Sequence, residues 1–414
     1  MKLAIYNLLV LLLIPVFLVR ILLKSFSDVD YRINLLNRFG YKLGAPVRKK
    51  RKIIWFHAVS LGEVIGSQNI IHLLLKEFDV VLTTTTPTGF RQAKELFNQE
   101  IMINYVPWDF HPFIKRFIDF YKPDALLIFE TEIWPSMISL SSTRKIPIYL
   151  LNGRLSEKSF HAYEWVLWLF KETIEKITYS FVQTANHKKR FIELGMSEQK
   201  IKIAGSVKFD LINLETVSSP DPLKLPYILA ASTHYGEDEI MLNAYQKIKE
   251  NNQVKLFICP RHPDRSLQIY KLATQMNLNV KLFSELSDNN YDVCIVDSIG
   301  LLTNLYANAE VAFVGGSLVK RGGHNLIEPA ALETPILIGP YTYNFEEIVE
   351  KFVNSDACIV VNNQEQLFLS IQLLLTDKEA SKNLSKNALK VVEMNKGSTH
   401  IQVSYIMEQL GERN

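Results

Sequence analysis

The sequence predicts an α/β protein with two parallel-sheet domains that follow an apolar N-terminal segment. Short apolar runs alternate with stretches of helical spacing along most of the 414 residues, which is typical of parallel sheets covered by helices. The alternation stops at residues 211–226, where three prolines and a Ser-Ser pair predict a linker, and then resumes. The length also fits two domains of ~150 residues each.

The composition narrows the class of protein. A hydrophobic content of 48% and a charged content of 21% are those of a globular chain. The net charge of +3 is too small to indicate a nucleic-acid partner. Cys259, Cys294 and Cys358 lack metal-ligand spacing and lie in or near apolar runs, so buried thiols in a reducing compartment are expected. No metal or other cofactor is predicted.

Residues 1–24 are predicted to be a membrane anchor. Residues 3–23 are almost continuously apolar, close to the ~20 residues that span a bilayer. Only Lys2 precedes the segment, whereas basic residues follow at Arg20, Lys24, Arg32, Arg38, Lys42 and residues 48–52. The positive-inside rule therefore places the body of the protein in the cytoplasm. A helix that lies on the membrane surface remains an alternative to one that spans it.

The first predicted domain covers residues 25–210. Strands are expected at residues 53–56, 80–82, 125–129, 146–151 and 180–182, and helices at residues 62–78, 110–121, 160–178 and 186–194. In such a sheet the functional groups belong to the loops that follow the strands. Here those loops carry acidic residues.

Glu63 begins a helix after the first strand, where it can accept a proton or interact with the helix dipole. Glu130 and Glu132 follow the strand at residues 125–129 directly. Such carboxylates can stabilise positive charge that develops on a sugar, or they can belong to a solvated, capping loop. Lys208 lies near the domain boundary, where a surface lysine is the simpler interpretation.

The second predicted domain covers residues 227–414. Strands are expected at residues 227–231, 254–258, 293–296 and 311–314, a helix at residues 239–249 and a helical tail at residues 363–410. Residues 315–340 contain a glycine pair and a helix start at Asn325. Free N–H groups there favour a phosphate, and Glu328 can accept bonds from ribose hydroxyls. The alternative is an ordinary strand–loop–helix connection. Arg261 can bind an anion, as can His234 and His262.

Motifs that occur in order along nearly the whole chain resemble one family. They are HAVSLGE, ETEIWP, NGRLS, GSVKFD, the STH-x-GE run at residues 232–237, PRHPDR and GGSLVKRGGHNLIEPAA. Together with the apolar N-terminus they resemble the 3-deoxy-D-manno-octulosonic acid (Kdo) transferases of lipopolysaccharide synthesis. The resemblance implies a GT-B fold, in which an acceptor-binding and a nucleotide-sugar-binding Rossmann-like domain face a cleft. It also implies transfer of Kdo from CMP-Kdo to the lipid A precursor lipid IVA at the inner membrane, with inversion at the anomeric carbon.

The resemblance also assigns roles to residues. Glu63 matches the family's catalytic base, and Glu132 and Lys208 match residues that stabilise the transition state. The matches to CMP-binding segments are Pro260, Arg261, Ile299, Gly300, Leu301, Asn325, Leu326, Ile327 and Glu328. The chain has Leu301 where the family usually has glutamate, so this loop is expected to bind through its backbone. The choice of Glu132 over Glu130 rests on the match alone.

Two other functions compete with this one. A GT-B enzyme could use a UDP-sugar on another membrane lipid, which the nucleotide loop alone does not exclude. A membrane protein without catalysis could retain a nucleotide-binding domain. The carboxylates Glu63, Glu130 and Glu132 argue against this last possibility.

Overall fold

The computed structural model describes residues 2–44, 51–211 and 225–411 and separates the chain into two compact units. The first unit comprises Met1–Leu211 with Lys396–Asn414, and the second comprises Ile212–Asn395. Residues 212–224 of the predicted linker and residues 48–50 of the basic stretch lie outside the described residues.

The first unit contains a parallel sheet with helices packed on it. Its strands are β1 (Ile53–His57), β2 (Asp79–Thr84), β3 (Met102–Tyr105), β4 (Ala125–Phe129), β5 (Ile148–Gly153), β6 (Tyr179–Val182) and β7 (Ile201–Ile203). Its helices are α1 (Lys2–Lys24), α2 (Leu61–Leu74), α3 (Pro87–Phe97), α4 (His111–Tyr121), α5 (Pro135–Thr143), α6 (Glu157–Trp165), α7 (Leu167–Ile174) and α8 (Ala185–Glu193). The strand order is β3-β2-β1-β4-β5-β6-β7. Because helices cover both faces, β4 is apolar and buried at every position.

Helix α1 is long and apolar enough to cross a membrane by length and composition. One of its faces nevertheless packs on the first unit, where Ile14 and Ile21 form an apolar cluster with Trp108. Lys2 also pairs with Glu172 of α7 at 3.0 Å. The opposite face is exposed and carries Leu8, Leu9, Leu12, Val16, Val19 and Leu23. The helix therefore has one face against protein and one apolar face that protein leaves uncovered.

The second unit repeats the architecture. Its strands are β8 (Tyr227–Thr233), β9 (Lys255–Pro260), β10 (Val280–Leu282), β11 (Val293–Ile295), β12 (Val311–Val314), β13 (Ile336–Ile338) and β14 (Ile359–Val360). Its helices are α9 (Glu237–Lys249), α10 (Ser266–Gln275), α11 (Leu302–Ala307), α12 (Ile327–Ala331), α13 (Glu346–Val353), α14 (Gln364–Thr376) and α15 (Lys378–Asn395). The parallel sheet has the order β10-β11-β9-β8-β12-β13-β14, so both units have Rossmann-like sheets as predicted.

The last helix, α16 (Ser398–Gly411), belongs to the first unit. This differs from the predicted domain boundary, which placed residues 227–414 together. Val403 and Ile406 pack in the apolar cluster that also contains Val64 of α2. The carboxylate of Asp210 accepts bonds from the amides of Gly397 at 2.6 Å and Thr399 at 2.7 Å. Asp210, at the end of the GSVKFD motif, therefore caps α16.

Three helix predictions need correction. The helix expected at residues 160–178 is interrupted at Val166, whose ψ of 11° departs from helical geometry, so that α6 and α7 are separate. The helix expected to start at Asn325 starts at Ile327 and has five residues. The tail at residues 363–410 is three helices, because α14, α15 and α16 are separated at residues 377 and 396–397.

We expect Asp210→Ala to weaken the attachment of α16, because two amides lose their acceptor. The free energy of unfolding should fall by about 1–2 kcal/mol, and hydrogen exchange in α16, followed by mass spectrometry, should become faster. The exposed Asp264 provides a control, since Asp264→Ala removes a carboxylate without touching α16. Unchanged exchange in α16 of Asp210→Ala would contradict the capping role.

Candidate active site

The strand order of the first sheet brings two acidic loops together. Strands β1 and β4 are neighbours, with His57 in register with Ile128, and the chain leaves them towards opposite ends of the sheet. Loops diverge at such a switch point and leave a crevice at the carboxyl ends of the strands. Glu63 follows β1 and the segment from Glu130 to Trp134 follows β4, so the predicted acidic residues meet there.

Glu63 is buried in the first turn of α2. Its Oε2 accepts a bond from the Val59 amide at 2.8 Å, and its Oε1 accepts one from the Ser60 hydroxyl at 3.0 Å. Ser60 Oγ in turn caps the Glu63 amide, which completes a capping box. Burial, followed by the charges of Glu130 and Glu132, raises the pKa of Glu63 to about 8. The residue thus caps its helix and is also able to exchange a proton near neutral pH.

The loop after β4 is held in an uncommon conformation. Glu130 has a φ of +59°, which for a residue other than glycine is strained and often found at functional sites. Glu132 accepts a bond from the indole N–H of Trp134 at 2.6 Å, and burial raises its pKa. The Trp134 ring meets the buried His57 ring edge-on at 5.3 Å. The bond from Trp134 therefore fixes the orientation of the Glu132 carboxylate.

Lys208 lies on a short 3-10 turn, Val207–Asp210, after β7. Buried Asn152, at the end of β5, accepts a bond from the Val207 amide at 3.3 Å. Asn69 of α2 donates to the Asp210 carbonyl at 2.7 Å. The turn that carries Lys208 is thereby packed on the same helix that carries Glu63. The NGRLS motif, which contains Asn152, and the GSVKFD motif, which contains Val207, therefore contact each other in the first unit.

In the second unit a buried carboxylate organises the glycine loop. Strands β8 and β12 flank the switch point of that sheet. Glu237, fully buried in the first turn of α9, accepts bonds from the amides of His234 (2.9 Å), Gly316 (2.7 Å), Ser317 (2.9 Å) and Leu318 (2.9 Å). The amides that follow the glycine pair therefore bind a protein carboxylate, whereas a phosphate was expected at the helix start near Asn325. Gly315 is required by packing, since a Cβ would lie 2.7 Å from the Ser232 carbonyl oxygen.

Arginine and histidine side chains surround this loop. The rings of His234 and His324 stack with 5° between their planes, and their Nε2 atoms are 3.0 Å apart. Burial, and then the charges of His234, Arg261 and His262, lower the pKa of His324 to about 4. Burial, and then the charges of Arg321, His262, Arg265 and Arg261, lower the pKa of His234. Basic groups this close together repel one another when charged, and a bound anion would relieve that repulsion. The region is therefore suited to an anion.

The predicted CMP-binding residues follow three strands of the second sheet, β9, β11 and β12. Buried Pro260 ends β9 and exposed Arg261 follows it. After β11, Ile299 is 88% exposed, Gly300 has a φ of +88° and Leu301 packs in an apolar cluster. After β12, the Asn325 carboxamide accepts a bond from the Ile327 amide at 3.1 Å, and Leu326 and Ile327 are buried. Burial raises the pKa of Glu328.

Residues 2–44, 51–211 and 225–411 contain no group of three histidine, cysteine or carboxylate side chains placed to hold a metal ion.

Sequence reasoning gave no role to Glu237, Asn152 or His324. Glu237 could have been noticed, because it follows His234 at the spacing of a capping box. Asn152 and His324 contact residues that are distant in the sequence, so no local pattern predicts their roles.

Two Rossmann-like parallel sheets, each with polar residues at its switch point, are the architecture of GT-B glycosyltransferases. A model of the N-terminal domain of 3-deoxy-D-manno-octulosonic-acid transferases matches residues 34–211, and one of group 1 glycosyl transferases matches residues 221–391. The 3-deoxy-D-manno-octulosonic acid transferase of Haemophilus influenzae is 33% identical over 423 residues, covering 99% of both chains. The chain therefore belongs to the 3-deoxy-D-manno-octulosonic acid transferase family and is a glycosyltransferase.

Further comparisons support the same family and fold. The transferase of the same name from Rickettsia bellii is 29% identical, over 94% of this chain and 95% of its own. Among solved structures, the UDP-GlcNAc 2-epimerase of Neisseria meningitidis superposes with a TM-score of 0.61 at 14% identity, over 86% of this chain and 100% of its own. At that identity the likeness supports the fold alone.

We expect Glu237→Gln to loosen the glycine loop, because an amide presents N–H groups to amides that need an acceptor. The cost should be about 1–3 kcal/mol, with faster hydrogen exchange in residues 314–320. Glu239→Gln is the matched control, since Glu239 lies exposed in the same turn. All five tryptophans lie within residues 55–168, so tryptophan fluorescence should stay unchanged. Equal exchange in both variants would refute the role of Glu237.

Proposed function

We propose that the protein transfers Kdo from CMP-Kdo to a hydroxyl group of the lipid A precursor in lipopolysaccharide synthesis, with inversion at the anomeric carbon. The observation that carries this proposal is the buried Glu63, with its pKa of about 8, beside two further carboxylates in a chain of this family. In the proposed step the acceptor oxygen attacks the anomeric carbon as the bond to the CMP phosphate breaks. The hydroxyl proton passes to Glu63, and CMP leaves as an anion.

The donor would bind at the carboxyl edge of the second sheet. The leaving phosphate gains negative charge, which Arg261 and the surrounding histidines would stabilise. Exposed Ile299 offers an apolar contact for a base, and Glu328 offers an acceptor for ribose hydroxyls. Since Glu237 already occupies the amides of the glycine loop, side chains have to supply most of the charge that faces the phosphate.

The first unit has a cavity suited to a lipid with anionic groups. Its volume is about 540 Å³, and its lining combines apolar side chains of α1 with Trp108, Trp134 and three basic residues. Of these, Arg38 is only 3% exposed, and its Nε has no hydrogen-bond partner among the described residues. A buried guanidinium with an unused donor favours a phosphate ligand. Trp134 lies on the wall, so a lipid here would sit beside Glu132.

The apolar α1 supports a membrane location, and we propose the cytoplasmic face of the inner membrane. One face of α1 packs on the first unit, so only its exposed leucines can contact lipid. The helix would then lie along the membrane surface with these leucines inserted. Trp165 and Trp168, at the end of α6 and within α7, are also exposed and suit the membrane–water boundary. A helix lying in the interface fits these contacts better than one that spans the bilayer alone.

The first test is a transfer assay with CMP-Kdo and tetraacylated lipid A precursor, read by mass spectrometry. Wild type should give product, and Glu63→Gln should lose about 10²–10⁴-fold in kcat because no base accepts the proton. Glu77→Gln serves as control, since Glu77 lies exposed just beyond the end of α2. No product from wild type with CMP-Kdo would reject the donor, and a UDP-sugar would then be tried. Full activity in Glu63→Gln would reject the base.

The pH dependence of kcat provides a second test. A base must be ionised to act, so kcat should rise about tenfold per pH unit and level off near pH 8, the pKa of Glu63. Glu130→Gln removes the charge that, after burial, most raises this pKa, so the midpoint should move to lower pH. Glu77→Gln should keep the wild-type midpoint. A midpoint near pH 4.5 in wild type, or one unmoved by Glu130→Gln, would contradict this assignment.

A further inference from the structure

Tyr6 and Asn7 are polar residues near the start of the otherwise apolar α1, and both contact the first unit. The carboxamide oxygen of Asn7 accepts bonds from the His111 amide at 2.7 Å and the Ser136 hydroxyl at 3.3 Å. Tyr6 and Asp109 line the same cavity, and the Asp109 carboxylate helps, after burial, to raise the pKa of the Tyr6 hydroxyl. Polar groups on an apolar helix are costly unless paired, so these contacts fix the rotation of α1 on the unit.

Asp109 is only 4% exposed and connects α1 to α5. Its two oxygens accept bonds from the amides of Ser136 at 2.9 Å and Met137 at 2.7 Å. Within the described part of the chain, the N-cap side chain of α5, Trp134, makes no capping bond. Asp109 therefore caps α5 from outside. Asn7 does the same for α4, whose N-cap residue Phe110 has an apolar side chain.

The start of α5 leads directly to the acidic loop. Trp134 immediately precedes α5, and its indole N–H holds the carboxylate of Glu132 at 2.6 Å. A shift of Ser136 moves Trp134 and, through it, Glu132. Burial raises the pKa of Asp109 to about 6, against the bonds from two backbone amides and the interaction with Tyr6, which stabilise its charge. Tyr6 belongs to α1, so α1 helps to keep this cap ionised.

We propose that Tyr6 and Asn7 are positioning residues of the transferase, which fix the start of α5 and thereby the orientation of Glu132. The helix α1 then forms part of the active half of the enzyme, besides any contact with the membrane. This inference rests on the proposed function, since it concerns the rate of the same transfer.

The test uses the full-length protein with CMP-Kdo and lipid acceptor in one detergent. Tyr6→Phe removes the hydroxyl but keeps the ring, which meets Phe170 edge-on at 6.2 Å. We expect kcat to fall about three- to tenfold, with the KM for CMP-Kdo unchanged. In a Glu132→Gln background the same substitution should lower the residual kcat less than about twofold, because the group being positioned is gone. Asn7→Leu is a second variant, for which the same dependence on Glu132 is expected.

Leu12→Ala is the control on the other face of α1, since Leu12 is 65% exposed. It should alter vesicle binding at most, whereas Tyr6→Phe should bind vesicles as wild type does. Wild-type kcat in both Tyr6→Phe and Asn7→Leu would overturn the inference and leave the proposed function intact. The same fold-change from Tyr6→Phe with and without Glu132→Gln would indicate general damage and also overturn it. Absence of transfer in wild type would instead refute the proposed function.

Discussion

A buried carboxylate beside the switch point organises each of the two sheets. Glu63 and Glu237 each lie in the first turn of the helix that follows a central strand, and burial raises the pKa of both. Glu237 accepts bonds from four amides, which compensates its burial and fixes a loop. Glu63 accepts one amide and one hydroxyl bond and faces two other carboxylates. The number of donors therefore separates a structural carboxylate from one that is available for proton transfer.

The two units differ in the sign of the charge at their strand ends. In the first, Glu63, Glu130 and Glu132 follow adjacent strands, and their mutual repulsion raises the pKa of Glu63. In the second, arginine and histidine side chains follow adjacent strands and lower the pKa values of the histidines. A displacement at an anomeric carbon needs a base for the attacking hydroxyl and positive charge for the leaving phosphate. In the proposed reaction the first unit would supply the base, and the second unit would supply the positive charge.

Local pattern predicted most of the sheet strands and the positions of the acidic residues. The apolar run at β4 could be recognised because a strand buried on both faces needs apolar side chains throughout. The strand order could not be read from the sequence, so local pattern did not predict that the loops carrying Glu63 and Glu132 follow adjacent strands. Local pattern also did not predict that Glu237 accepts bonds from the amides of the glycine loop, because Glu237 lies 79 residues from Gly316. The short α12 and the break at Val166 depend on tertiary packing that helical spacing does not encode.

The N-terminal helix illustrates how composition can conceal a second role. Its hydropathy describes an anchor, and apolar side chains such as Leu12 fit that description. Hydropathy averages over the helix, however, and so gives no weight to single polar residues. Asn7 and Tyr6 would be unfavourable in lipid, yet each has a partner in the first unit. A segment that only needed to hold the protein at a membrane would gain nothing from these residues. Their contacts near the start of α5, beside Glu132, are the reason for proposing that α1 serves the transfer reaction in addition to any contact with the membrane.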